Sequence, residues 1–129
     1  MLAKTILFVD DESLILAGHR VVFESLGYSV LTADSGAKAL SLLRSHSVDA
    51  VVLDYSMNPM NGEETARRVR RKHGNIPIVL FSARLPVPKS VLNVVDVCVE
   101  KGTGPELLAE ALRRLLQTSP RKRKPAAGI

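Results

Sequence analysis

A chain of 129 residues with 46% hydrophobic content is sized for one globular domain that buries about two-thirds of its unfolded surface, with no room for a second. The formal net charge of +5 suggests nucleic acid until it is located: Arg121-Lys122-Arg123-Lys124 supplies four of those charges and leaves the remainder nearly neutral. No run approaches the roughly 20 apolar residues that span a bilayer, Met1-Leu2-Ala3-Lys4 has no signal-peptide layout, and the lone Cys98 excludes an intrachain disulfide or a cysteine zinc site, so the expected compartment is cytoplasmic.

Lys4 to Val9 is an apolar run that reads as a buried strand and stops at Asp10-Asp11-Glu12. Three carboxylates at a strand exit repel one another unless a cation or a basic side chain compensates. From Ser13 a helix is expected, with Leu14, Ile15, Val22 and Leu26 at helical spacing, Val21 and Phe23 beside them, and Gly27 closing it. Tyr28 to Ala33 reads as a short strand. Asp34-Ser35-Gly36 then starts a helix whose apolar face is Ala39, Leu40, Leu42 and Leu43.

Val48 to Asp54 is the most continuous apolar segment, rich in β-branched residues, and it reads as a strand buried on both faces that ends in one carboxylate. Asn61 with Glu64 resembles a capping box for the next helix, and its Arg67, Arg68, Arg70, Arg71 and Lys72 read as a solvated face. Gly74-Asn75 ends that helix, and Ile76 to Phe81 forms a fourth strand that delivers Ser82. Pro86 and Pro88 oppose any helix before about Lys89, so a fourth helix must be short. Asp96 to Glu100 reads as a fifth strand handing over Lys101. Thr103 with Glu106 marks a capping box for a last helix with Leu107, Leu108, Ala111, Leu112 and Leu115 inward. Strands alternating with helices in this way give a parallel sheet covered on both faces. The domain is expected over residues 1–117, with 118–129 a disordered basic tail.

Asp10, Asp11, Asp54, Ser82 and Lys101 all fall at strand exits, the edge of an α/β sheet where ligands gather. Three carboxylates with carbonyl and water oxygens make a hard site suited to Mg²⁺ or Mn²⁺, with no thiolate or clustered imidazole to prefer zinc. A lysine and a hydroxyl at the same edge add donors for an anion, as a phosphoryl group on Asp54 requires.

The motifs Phe8-Val9-Asp10-Asp11-Glu12, Leu53-Asp54-Tyr55-Ser56-Met57-Asn58-Pro59-Met60-Asn61-Gly62, Phe81-Ser82-Ala83 and Glu100-Lys101-Gly102, each at a strand end and in this order, resemble the response-regulator receiver domain of two-component signalling. The resemblance covers roughly Lys4 to Gln117. It implies a flavodoxin-like, doubly wound, five-stranded parallel sheet of order 2-1-3-4-5 with five helices. It also implies that Asp54 accepts phosphate from the phosphohistidine of a histidine kinase or phosphotransfer protein, and that Ser82 and Lys101 each hold a phosphoryl oxygen. By the same resemblance Asp11, Asp54 and the backbone carbonyl of Ser56 bind Mg²⁺ directly, with Asp10 acting through water. Such a domain is no enzyme beyond its own phosphoryl transfer and slow self-dephosphorylation. Its signal passes to an unknown downstream protein by contact, with dimerisation left open and neither nucleic acid nor membrane expected as a partner.

The sequence departs from that pattern in four places, one of them the segment between Ser82 and Lys101, which is shorter than usual and carries Pro86 and Pro88. Pro59 stands one place late in the loop after Asp54, and Gly102 replaces the proline that commonly follows the lysine. Cys98 stands where an aromatic usually switches between two positions, so an activated state is expected to travel through the Ser82-Ala83-Arg84 loop and the fourth helix. Cys98 itself reads as a small apolar residue, and His19, His46 and His73 as surface or boundary residues without ligand spacing. Two rivals remain: a receiver-like binding module that works without phosphate, and a Mg²⁺-dependent aspartyl-phosphate phosphatase, whose Asp-x-Asp motif is not matched by Asp10-Asp11-Glu12. A flavin or nucleotide binder needs a phosphate-cradling first loop, which an acidic one opposes.

Overall fold

The computed structural model describes residues 3–117. The tail expected from residue 118 lies outside the described residues. Along the chain run β1 (Thr5–Val9), α1 (Ser13–Ser25), β2 (Ser29–Ala33), α2 (Gly36–Ser45), β3 (Ala50–Asp54), α3 (Gly62–His73), β4 (Ile78–Ser82), α4 (Lys89–Leu92), β5 (Val97–Glu100) and α5 (Pro105–Gln117). The five strands form one parallel sheet in the order β2-β1-β3-β4-β5, the order that the receiver resemblance implies.

Each strand serves two cores because successive side chains point to opposite faces. Leu7, Val9, Val51, Leu53, Ile78 and Leu80 face α2, α3 and α4, where Ala39, Leu43, Ala66, Val69 and Val91 meet them. Ile6, Phe8, Val52, Val79, Phe81 and Val99 face α1 and α5 through Leu16, Phe23, Leu108 and Leu112. Double-sided burial is why the β3 and β4 segments read as unbroken apolar runs: every residue of both strands is buried.

Several local expectations are corrected. The strands begin one or two residues later than the apolar runs suggest, because Asp49 and Asp96 sit in the turns before β3 and β5 and accept the Thr5 and Ile78 backbone N–H groups at 2.7 and 2.8 Å. In α1 the buried stripe is Leu16 and Phe23 with Ile15, His19 and Val22 half-buried, while Leu14, Val21 and Leu26 are exposed. Thr103 does not cap α5: its hydroxyl donates to the Glu100 carbonyl at 2.9 Å, the helix starts at Pro105, and Leu107 is exposed. Pro105 suits the first helical position because its missing N–H has no helical partner there. Asn61 caps α3 through the Glu64 N–H at 2.8 Å, but Glu64 turns away to Arg68, so only half of the expected box forms.

Nor is the cationic side of α3 uniformly solvated. Arg70 folds over the amino edge of the sheet, donating to the carbonyls of Gly74, Ile76 and Val94 at 2.7, 2.8 and 2.9 Å and reaching Asp96 at 3.2 Å. One guanidinium thus ties the end of α3 to the turns that enter β4 and β5. The short α4, four residues long, matches what Pro86 and Pro88 dictate.

Candidate functional site

Four strand exits converge on one edge. Asp10 follows β1 and its N–H donates to Ala33 of β2 at 3.1 Å; Asp54 is the last residue of β3 and Ser82 the last of β4; Lys101 follows β5 and its N–H donates to the Ser82 carbonyl at 2.7 Å. Parallel register, pairing Val9 with Leu53 and Ser82 with Glu100, fixes these exits side by side. The loop after Asp54 then doubles back tightly. The Gly62 N–H donates to the Tyr55 carbonyl at 2.9 Å, and a Cβ at Gly62 would collide with the Asp54 carbonyl and the Tyr55 backbone. Only glycine lets α3 start this close to the β3 exit.

The charges are arranged around Lys101. Its Nζ lies 2.9 Å from Asp10 Oδ2 and 3.0 Å from Asp54 Oδ1, and all three side chains are largely buried. Asp10 Oδ1 accepts the Glu12 N–H at 2.9 Å, and Asp54 Oδ1 also accepts the Ser56 N–H at a long 3.4 Å. Those bonds leave Asp54 Oδ2 as the carboxylate oxygen with no hydrogen bond among the described residues and not sealed from solvent. Burial pushes the Asp54 carboxyl up, the Asp10 charge adds to the rise, and the shared lysine only partly opposes it. Burial would lower Lys101, but two carboxylates outweigh it and hold the ammonium above its ordinary value.

One carboxylate oxygen each of Asp10, Asp11 and Glu12 lies within 4.8 Å of the other two, Asp10 buried and the others exposed. An all-oxygen set of this kind suits a hard divalent cation with water in its shell, which Mg²⁺ is. Ser82 is buried at the same edge, but its hydroxyl donates to the Arg84 carbonyl at 2.9 Å and accepts the Arg84 N–H at 3.2 Å, bonding within its own turn.

Sequence reading missed His19. Its ring stacks on Phe8 at 4.6 Å and 22°, and lies edge-on to Phe81 at 5.4 Å; Lys101 Nζ sits 5.8 Å above the Phe81 ring. Burial pushes the imidazole down, with Asp10 raising and Lys101 lowering it in smaller measure. The Leu16, His19, Phe23 spacing is the signal that would have found it, since it continues the buried stripe of α1. Cys98 pairs in register with Leu80, half-buried, and burial pushes its thiol up, away from the reactive thiolate.

The family model of the response regulator receiver domain matches residues 6–113. The chain belongs to this receiver family. Among curated relatives, the response regulator MprA of Mycobacterium sp. (strain KMS) is 35% identical over 119 residues, 89% of this receiver chain and 52% of MprA. The response regulator SaeR of Staphylococcus aureus (strain USA300) is 32% identical over 114 residues, 86% of this chain and 50% of SaeR. The receiver thus spans about half the length of the curated relatives it matches. Among solved structures, the response regulator TrrA of Thermotoga maritima, in complex with Mg²⁺-BeF, superposes with a TM-score of 0.82 at 31% identity, covering 87% of this chain and 98% of TrrA. Chemotaxis protein CheY4 of Vibrio cholerae gives 0.81 at 26%, covering 88% and 98%. Receiver domains are signalling domains of two-component systems, and among the described residues no helix is long and apolar enough to cross a membrane.

Proposed function

We propose that this receiver takes a phosphoryl group on Asp54 from the phosphohistidine of a histidine kinase or phosphotransfer protein, in the cytoplasm, and passes the signal to a downstream protein by contact. The observation that carries the reading is the Asp54 carboxylate, buried at a strand exit, with one oxygen engaged by Lys101 and the other unbonded. In the transfer the phosphohistidine N–P bond breaks as a bond from Asp54 Oδ2 to phosphorus forms, and the donor imidazole leaves with the electron pair. In-line displacement of this kind needs positioning and charge neutralisation more than covalent help.

Lys101 is the fixed positive charge for one phosphoryl oxygen. The Ser82 hydroxyl must leave its bond to the Arg84 carbonyl to reach another, so its turn is the part that moves. Asp11, Asp54 and the Ser56 backbone carbonyl would hold Mg²⁺ directly, with Asp10 acting through water. Bound there, the cation would offset the negative charge gathering between carboxylate and phosphate. TrrA, similar to this chain in fold and sequence, was captured with Mg²⁺-BeF, which supports the same ligand class here.

Incubation with acetyl phosphate and Mg²⁺ followed by intact-mass measurement tests the proposal. One phosphate adduct on the wild type and none on Asp54→Ala is the expected result. No adduct from acetyl phosphate or from a phosphorylated kinase would favour a binding module that works without phosphate. Steady turnover of small phosphate esters would favour a phosphatase.

A further inference from the structure

The cations of α3 sort by their contacts into two groups. Arg67 and Arg70 turn toward the segments that flank β4 and β5: Arg67 reaches the Ser90 carbonyl at 3.4 Å as well as Glu63 at 2.8 Å, and Arg70 is tied to backbone carbonyls and Asp96. Arg68, Arg71 and Lys72 turn the other way, toward α2. There, with Leu40 and Arg44 of α2, they line a hollow of about 380 Å³. Arg44, Arg71 and Lys72 have no hydrogen bond or ion pair among the described residues, and Arg68 has only an exposed pair with Glu64 at 2.9 Å. An exposed pair of that kind is worth little and exchanges easily.

Cations in the last turn of a helix ordinarily complement its dipole, and that accounts for Arg44 and for Arg71 and Lys72 one helix at a time. It does not account for Arg68, which precedes the last turn of α3, nor for the way two elements turn four positive groups and one leucine into the same concavity. All four cations are exposed and screened by water, and an anion seated in the concavity they line would be attracted by each of them. Guanidinium forks match phosphate oxygens two at a time, and a hollow of this volume is the size of small-ligand sites.

We propose that the hollow between α2 and α3 binds a small molecule carrying a condensed phosphate chain, with Arg44, Arg68, Arg71 and Lys72 holding the phosphates and Leu40 offering an apolar surface to whatever the chain bears. Inorganic triphosphate and a nucleoside triphosphate share this chemistry. The site stands apart from the Asp54 carboxylate and does not depend on phosphoryl transfer there.

Titration of the full chain in magnesium-free buffer with sodium triphosphate, and separately with ATP and GTP, followed by amide NMR, tests it. Expected are saturable shifts centred on Arg44 to His46 and Arg68 to His73. Affinity should be about tenfold or more weaker in Arg44→Gln/Arg71→Gln, and the acetyl-phosphate adduct on Asp54 unchanged in that variant. Tighter binding of a nucleotide than of triphosphate would assign the Leu40 surface to the base; equal binding would assign the ligand to the phosphate chain alone. If the double variant does not fold, Lys72→Gln alone carries the same comparison with a smaller loss. Shifts confined to residues 121–124, or at the Asp10 to Glu12 loop, or no shifts at millimolar ligand, would overturn the proposal. So would a duplex oligonucleotide that outcompetes triphosphate at the same salt concentration.

Discussion

Burial and the neighbouring Asp10 both push the Asp54 carboxyl up, so the unfolded chain ionises this group more readily than the folded one. The stability this group contributes is therefore lost as pH rises from its ordinary 3.8 through the raised value, and stays lost above it. Asp54→Asn should raise the thermal midpoint at pH 7 without divalent cation, in a calorimeter scan beside the wild type; an unchanged or lower midpoint would contradict the electrostatic account. His19 acts with the opposite dependence. Its lowered folded pKa means that the unfolded state takes up the proton first, so stability is fully present above about 6.5 and falls as pH drops from there to the lowered value. His19→Leu keeps the ring's neighbours in apolar contact and should flatten the stability profile below pH 6.5. An unaltered slope in urea titrations across that range would refute the assignment.

Among the elements, α1 and α3 show where sequence patterning stops being decisive. Helix α1 has apolar residues on several sides, so both Leu14 with Val21 and Leu16 with Phe23 satisfy helical spacing; which pair is buried depends on the sheet face it covers, a long-range fact. Arg70 looks like its neighbours in sequence, and only the carbonyls of turns brought alongside by the sheet distinguish it. Arg70→Ala would leave Asp96 and those carbonyls without their guanidinium and should cost about 1–3 kcal/mol in urea denaturation, discounted for the partial exposure of the arginine. By contrast, the short α4 was legible because proline forbids the alternative. With Cys98 in place of an aromatic switch, beryllofluoride binding should shift amide resonances of Ala83 to Val95, the segment that begins at the Ser82–Arg84 turn. Spectra in which that segment stays still would place the signal elsewhere.

Over the whole molecule, the convergence of Asp10, Asp54 and Lys101 follows from runs that end in polar residues, because a parallel sheet brings all its carboxyl ends to one edge, whereas the strand order came only with the resemblance to receiver domains. What the runs do not carry is how that edge is wired: that one lysine serves two carboxylates and that Ser82 bonds within its own turn. Acidic groups gather at this pole, and cations of α2 and α3 at a separate hollow, so overall charge says little about either. A divalent cation bound at the acidic pole should stabilise the entire cooperative unit, by about 2.7 kcal/mol at a hundredfold excess over its dissociation constant. Thermal melts with added Mg²⁺ should show that gain in the wild type and lose most of it in Asp11→Asn. Equal gains in both would move the cation away from the first strand exit.

Gly102 and Gly104, at φ of 86° and 85°, bracket Thr103 between Lys101 and the start of α5. Lys101 is meanwhile fastened to Ser82 through its own N–H. Both glycine positions take a backbone conformation that only glycine adopts without strain, so the turn that joins the lysine to α5 admits no ordinary residue at either place.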